Sequence, residues 1–419
     1  MKSIIIHCSL LLLFINYAIF LAYAGHLSNE ITIPKYEVEI EYDVYIKIEC
    51  FTMMNYREFT NLLYNSNSQQ GIRNKTLTLK IFNCPLPDDG NTLTDMLDKL
   101  GIISYQQLLL KSNDKYLHLT KQHFSNIRGL KKLTLDMKNW DYVPENLFEA
   151  VSLKSLESLD LYTNASFIAG NIFNNLESLI SLKLGFNIDS LGYEVFRKQT
   201  RLETLYLDHN KLKYLQPNIF KTNVKLNNLY LKNNSLHSLP QDIFAFLPML
   251  KTLNINENKF QYLPAKLFEN NDKIQYLTLT KNYFTKLKLP DFFLFDMEKL
   301  EKVEMQCVLE KLEENIFFNS FSIKTIVLNH NHLESLPKNL LQHQQKLINL
   351  DLSYNKLKAL PDGFFDNSKE IKSIKLSHNC LTTIERLVYN HVTYIIIYST
   401  IIFRLMYSIR MNQKPIVNL

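Results

Sequence analysis

Tyr206 and Asp208, Tyr230 and Lys232, Asn254 and Asn256, and Thr278 and Thr280 recur as pairs. Each pair follows the last after 24 residues, and a leucine or isoleucine stands between its two members. Their side chains offer rings for stacking, charges for ion pairing, and amides and hydroxyls for hydrogen bonding. That is chemistry for holding another molecule rather than transforming it. No G-x-S-x-G, H-E-x-x-H, P-loop or paired CxxC occurs, and the carboxylates are scattered. Glycine is scarce, at 9 residues, which argues against phosphate-cradling loops. His330 and His332 form an H-x-H, but they flank Asn331 at turn positions where any polar residue would serve. The sequence therefore predicts no catalytic residue, no metal ligand, no cofactor and no enzyme.

The elements that must position these pairs are written in the same interval. Leu205, Leu229, Leu253 and Leu277 hold one slot, and Leu207, Leu231, Ile255 and Leu279 the slot two residues on. Asn210, Asn234, Asn258 and Asn282 follow, then Leu212, Leu236, Phe260 and Phe284, and later Phe220, Phe244 and Phe268. Together they spell LxxLxLxxNxLxxLPxxxFxxL, the leucine-rich repeat. Alternation sends both leucines of a strand inward and the residues between them outward. The Asn amide can donate to and accept from backbone groups that a coil's interior hides from water. No single turn buries its apolar face, so turns must stack. The predicted fold is an α/β solenoid, a leucine-rich repeat horseshoe with a parallel concave sheet and an N-terminal cap. The pairs above would face its concave side as a ligand-binding surface: Tyr206, Asp208, Tyr230, Lys232, Asn254 and Asn256.

The register extends in both directions. First-slot residues are Leu79, Leu108, Leu133, Leu159, Leu182, Leu205, Leu229, Leu253, Leu277, Val303, Ile326, Leu350 and Ile374. They predict about thirteen turns over 79–384. The Asn slot is assigned to Asn113, Asn164, Asn187, Asn331, Asn355 and Asn379 as well, with Cys84, Lys138 and Cys307 as irregular occupants. Before the array, Val38, Ile40, Tyr42, Val44, Ile46, Ile48 and Cys50 alternate with polar residues, as in a half-buried strand or hairpin. That segment lies within an expected cap over 25–78. After Ile384 the slots stop, and 385–419 reads as an irregular hydrophobic tail. Its apolar run, Val392 to Phe403, is about twelve residues where a spanning helix needs roughly twenty. Three readings stay open: a membrane anchor flanked by Arg404, Arg410 and Lys414, a substitute cap, or a tail with no folded role.

Composition is that of a folded protein, 46% hydrophobic and 21% charged. The formal net charge of +6 is spread along the chain, so no nucleic-acid partner is expected. Residues 1–24 read as a signal peptide: Lys2, an apolar run, then Ala22-Tyr23-Ala24 as the cleavage site. This directs the chain to the secretory pathway, extracellular or at the cell surface. There Cys50 and Cys84 are the natural disulfide pair, two free buried thiols being the other reading. Sequons stand at Asn74, Asn164 and Asn233. Asn74 and Asn233 are expected to carry glycan. Asn164, assigned to the buried ladder slot, is expected to stay unmodified.

The regular turns with Asn, Leu-Pro and Phe resemble the extracellular repeats of Toll and Toll-like receptors. Phe82-Asn83-Cys84-Pro85-Leu86-Pro87, after a cysteine-bearing segment, is most similar to insect Toll. The resemblance implies a receptor for a protein cytokine of the Spätzle type or for microbial products, acting in innate immunity or development, and working as a receptor dimer. The chain departs from the family in showing no cysteine-rich C-terminal cap and no cytoplasmic TIR domain. A truncated product, a partial gene model or a secreted decoy is therefore expected. An adhesion or matrix protein on the same repeat is the alternative.

Overall fold

The computed structural model describes residues 36–41, 45–50, 57–59, 78–87, 91–99, 102, 105–282, 289, 293–382 and 394–396. The chain forms two units, one up to Asn187 and one from Ile188.

In the first unit, strands β1 (Tyr36–Glu41) and β2 (Tyr45–Cys50) form an antiparallel hairpin. β2 then pairs in parallel with β3 (Thr78–Phe82), and the parallel order continues through β4 (Gln107–Lys111), β5 (Lys132–Met137) and β6 (Ser158–Thr163) to β8 (Ser181–Phe186). A two-residue strand, β7, covers Phe167–Ile168. The register aligns Ile46, Leu79, Leu108, Leu133, Leu159 and Leu182, one above the next. All six are buried.

The second unit repeats this with shorter strands. After the two-residue β9 (Ser190–Leu191) come β10 (Thr204–Tyr206), β11 (Asn228–Tyr230), β12 (Thr252–Asn254) and β13 (Tyr276–Thr278). β14 (Lys302–Glu304), β15 (Thr325–Val327), β16 (Asn349–Asp351) and β17 (Ser373–Lys375) follow. β10 to β17 are all parallel, and Leu205, Leu229, Leu253, Leu277, Val303, Ile326, Leu350 and Ile374 align in one column. One further strand, β18 (Tyr394–Ile396), pairs in parallel with β17. The sequence showed no repeat slot there. The 21 residues from Ile374 to Ile395 fall short of the 24-residue period, which hid the match.

The return side is mostly turn. Among the described residues it carries the 3-10 turns Lys121–Phe124 and Val151–Ser155 and the α-helix α1 (Leu93–Lys99). The solenoid is thus mainly β. Its outer core is a column of phenylalanines. Phe148 and Phe173 pack at 5.9 Å in the first unit, Phe196 on Phe220 at 6.2 Å and Phe244 on Phe268 at 6.1 Å in the second. Phe260 is buried as expected, whereas Phe284, Leu287 and part of the insert 288–292 lie outside the described residues.

The asparagine ladder belongs to the second unit. Asn210, Asn234, Asn258, Asn331 and Asn355 are buried there, and Asn282 and Asn379 half-buried. Asn234 shows the pattern: Nδ2 donates to Leu207 O one turn back (2.8 Å) and to Leu231 O in its own turn (3.0 Å), while Oδ1 accepts from Leu212 N (3.0 Å). What aims the amide inward is the residue before it. His209, Asn233, Glu257, Lys281, His330, Tyr354 and His378 all adopt φ between 53° and 59°. This left-handed step turns the chain after the strand. Cys307 takes the same office one residue early: its Sγ donates to Leu279 O at 3.1 Å, and burial raises its thiol pKa.

In the first unit this expectation is corrected. Asn113 and Asn164 are exposed, and Asn187 is half-buried. The strands there run five or six residues, so strict alternation carries Ser112, Met137 and Thr163 inward instead. None of these turns has the left-handed step before its Asn. Thr163 fills the polar role, donating from Oγ1 to Trp140 O at 3.1 Å. Among the described residues of this unit only Asn83, at φ 54°, reproduces the step, and it brings the buried Cys84 to the Asn slot.

A histidine in the first unit yields a pH prediction. Nδ1 of His123 accepts from Thr120 N (3.1 Å) and Nε2 sits 2.9 Å from Pro87 O, which fits the neutral Nε2–H tautomer. Burial lowers its pKa, partly offset by these backbone contacts. Above roughly 6.5 both folded and unfolded rings are neutral; below it the unfolded ring protonates first. Stability is therefore full above that value and falls as the pH drops towards the folded pKa. The thermal midpoint should be lower at about pH 5.5 than at about pH 7.5, and His123→Gln should shrink that difference. An unchanged difference in the variant would count against the assignment.

Candidate ligand-binding face

In the second unit the L-x-L alternation turns the intervening residues to the open face of the sheet, and parallel register stacks same-slot residues directly. Tyr206 pairs with Tyr230, Tyr230 with Asn254, and Asn254 with Thr278. Strand spacing of about 4.8 Å is close to a stacking distance, so equal residues in register must stack. The Tyr206 and Tyr230 rings do so, at 4.7 Å with 4° between planes. Burial, then the neighbouring Tyr206 and Asp208, raises the Tyr230 pKa, so its hydroxyl stays a neutral donor and acceptor.

The six residues singled out by the sequence lie together and are half-buried. Two of them also fasten the turns. Asp208 Oδ1 accepts from Lys232 N at 2.7 Å, and Asn256 Oδ1 accepts from Thr280 N at 2.6 Å. Asn254 Oδ1 accepts from Asn256 N (3.1 Å). Lys232 reaches Glu257 at 3.7 Å, and Lys281 reaches the same carboxylate at 3.2 Å. Exposed pairs of this kind add little stability and leave their charges open to a partner. Around Asn254 the strand residues Thr252, Asn256, Tyr276, Thr278 and Thr280 are uncharged, a patch of amides and hydroxyls.

Several features were missed. His330, Tyr354 and His378 form a continuous stack, at 4.3 Å and 4.1 Å, on the left-handed turns. Their 24-residue spacing was the available signal; His330 was noticed only as half of an H-x-H. His332 instead spends its backbone N–H on Leu309 O, at 2.8 Å. A second amide ladder runs on the return side. Asn223 Nδ2 donates to Phe196 O and Gln199 O (3.0 and 2.9 Å), and Asn271 Nδ2 to Phe244 O and Leu247 O (both 3.0 Å). Both stand three residues after a core Phe. In the first unit the face carries Tyr162 stacked on Phe186 at 5.3 Å, with Lys183 and Lys138 over the respective rings at 5.4 and 5.1 Å.

The remaining sites fall as follows. Cys50 and Cys84 form a disulfide with Cα atoms 5.0 Å apart. Asn233 is exposed, its Nδ2 2.8 Å from His209 Nδ1. Asn74 lies outside the described residues. Among the described residues no three His, Cys, Asp or Glu side chains gather as a metal site, and no helix is long and apolar enough to cross a membrane.

Comparison with known proteins agrees with this geometry. Residues 224–284 and 345–389 match the leucine rich repeat model, and residues 104–226 the BspA type leucine rich repeat region. Protein toll of Drosophila melanogaster is 29% identical over 105 residues, which cover 25% of this chain and 9% of that protein. A chain of the solved Toll–Spätzle complex, described as a hub in Drosophila development and innate immunity, superposes with a TM-score of 0.78. It is 26% identical and covers 88% of this chain and 49% of its own. The chain is a leucine-rich repeat protein, and Toll is among the proteins it resembles. This chain spans about half the length of that solved relative and far less of the curated one. The TLR13–ssRNA13 complex, at 19% identity and a TM-score of 0.54 over 83% of this chain and 56% of its own, shares the fold.

Proposed function

We propose that this Toll-like chain is a ligand-binding ectodomain of the secretory pathway, taking a protein cytokine of the Spätzle type on the open face of its second unit. The supporting observation is the in-register face itself: two stacked tyrosines beside Asp208, Lys232 and an uncharged amide–hydroxyl patch, held rigid by backbone contacts between turns. Tyrosine and charged residues around a preorganised surface are effective contact types. The likeness to a chain from the Toll–Spätzle complex supports the ligand class. In this reading residues 1–24 are the signal peptide, 25–78 close the N-terminal edge, and binding requires no enzyme activity. In this reading receptor pairing follows ligand capture.

The secreted full chain, immobilised and titrated with a Spätzle-type cytokine, tests this. Binding is expected, and Tyr206→Ala with Tyr230→Ala should weaken it roughly tenfold or more, as loss of a central aromatic anchor does. Full affinity in the double variant would move the site off this face. No binding by the native chain would favour the matrix or adhesion reading instead.

A further inference from the structure

We propose that Asn164 is an N-glycan acceptor and that its glycan covers the aromatic face of the first unit. The proposal rests on the secretory reading above. Asn164-Ala165-Ser166 is a sequon whose Asn and Ser are both exposed. The contrast with a ladder asparagine is one of hydrogen counting. Asn234 Nδ2 spends both hydrogens on buried carbonyls, Leu207 O and Leu231 O. Asn164 Nδ2 spends one, on Asp141 Oδ1 at 3.2 Å, in a contact open to solvent. The polar work of the interior at this turn is done by Thr163.

The group transferred is an oligosaccharide from a lipid-linked oligosaccharyl pyrophosphate of the secretory lumen. The Nδ2–C1 bond forms, the C1–O bond to pyrophosphate breaks, and one amide proton leaves as the pyrophosphate takes the bonding pair. One N–H remains on the amide, enough to keep the Asp141 contact. The backbone of the turn is already fixed: Asn164 N donates to Trp140 O (3.0 Å) and Asn164 O accepts from Asn187 Nδ2 (2.9 Å). No rearrangement is needed to seat the sugar.

Position gives the modification a consequence. Tyr162 precedes Asn164 by two residues, so alternation brings both to the same side of the chain. Its ring stacks on the exposed Phe186, flanked by Lys138 and Lys183. A glycan leaving Asn164 spreads over this ring pair, as sugars solubilise a surface they cover. The Tyr162–Phe186 ring pair is then closed to a protein partner, and capture is left to the second unit.

The test is glycopeptide mapping of the full chain secreted from insect cells, with enzymatic deglycosylation in heavy-oxygen water marking each occupied Asn. Occupancy of Asn164 is expected, with Asn164→Gln running one glycan lighter. The native chain should bind an apolar dye less than Asn164→Gln does, and deglycosylation should raise its binding. An empty Asn164 beside an occupied Asn233 overturns the proposal alone. All sequons empty overturns it together with the secretory reading. Occupancy without any change in dye binding removes the shielding role.

Discussion

Asn258→Ala is expected to destabilise the second unit by about 3–5 kcal/mol, among the largest effects of any single substitution here. Asn258 is 1% exposed. Its Oδ1 accepts from Leu236 N at 3.1 Å, and its Nδ2 donates to Leu231 O (2.9 Å), Ile255 O (3.2 Å) and Asn256 O (3.1 Å). Alanine leaves the buried Leu236 N–H without a partner, costing roughly 1–3 kcal/mol, and removes one of two donors from each of the three carbonyls, roughly 0.5–1.5 kcal/mol apiece. Asn258→Asp keeps the acceptor but brings a charge against three carbonyls, and should be at least as damaging. Asn233→Ala, one position away from a ladder Asn but exposed, should cost only about 1–2 kcal/mol, the strain of alanine at a φ of 54°. Urea unfolding followed by far-ultraviolet dichroism reads all three. Equal midpoints for Asn258→Ala and Asn233→Ala would refute the ladder's energetic role.

Breaking the Cys50–Cys84 disulfide should cost roughly 3–4 kcal/mol, from the unfolded-state freedom that a 34-residue loop recovers. The loss should be local. Cys50 ends β2 and Cys84 follows β3, so the link ties the two strands that join the antiparallel hairpin to the parallel sheet. Cys50→Ser with Cys84→Ser should therefore speed amide exchange of Ile46 and Ile48 while leaving Leu253 and Leu277 protected. Uniform protection across both units in the double variant would show that the bond is dispensable. Cys380 is exposed and Cys307 buried, so mild alkylation blocks Cys380 beforehand and spares Cys307.

The register of the main strands from β3 to β17 was legible, and the reason is physical. Each first-slot residue from Leu79 to Ile374 falls on a strand because a leucine alternation offers only one inward set, and a slip by one residue would invert it. The Tyr206–Tyr230 stack followed from equal spacing. What lay beyond reach was the conformation of single residues. Asn164 and Asn210 occupy the same place in a written repeat, yet one faces solvent and the other the interior. The difference is the left-handed step at His209, which no residue type at that place announces: His, Asn, Glu, Lys and Tyr all take it. The return-side amides Asn223 and Asn271 were overlooked because the outer arc was read through its phenylalanines alone.

The left-handed step and its ladder make the turns that begin at Leu205, Leu229 and Leu253 interchangeable. Each turn hands the next the same set of donors and acceptors, at the same interval, in the same register. Excising Asn228–Lys251 would bring Thr252 to follow Asn227, with Asn258 meeting the groups that Asn234 had served. Such a protein can lengthen or shorten by whole periods during descent without redesigning a single junction. The first unit, whose interior polar partner changes from Ser112 to Thr163, has no such freedom and is bound to inherit its turns as an ordered set.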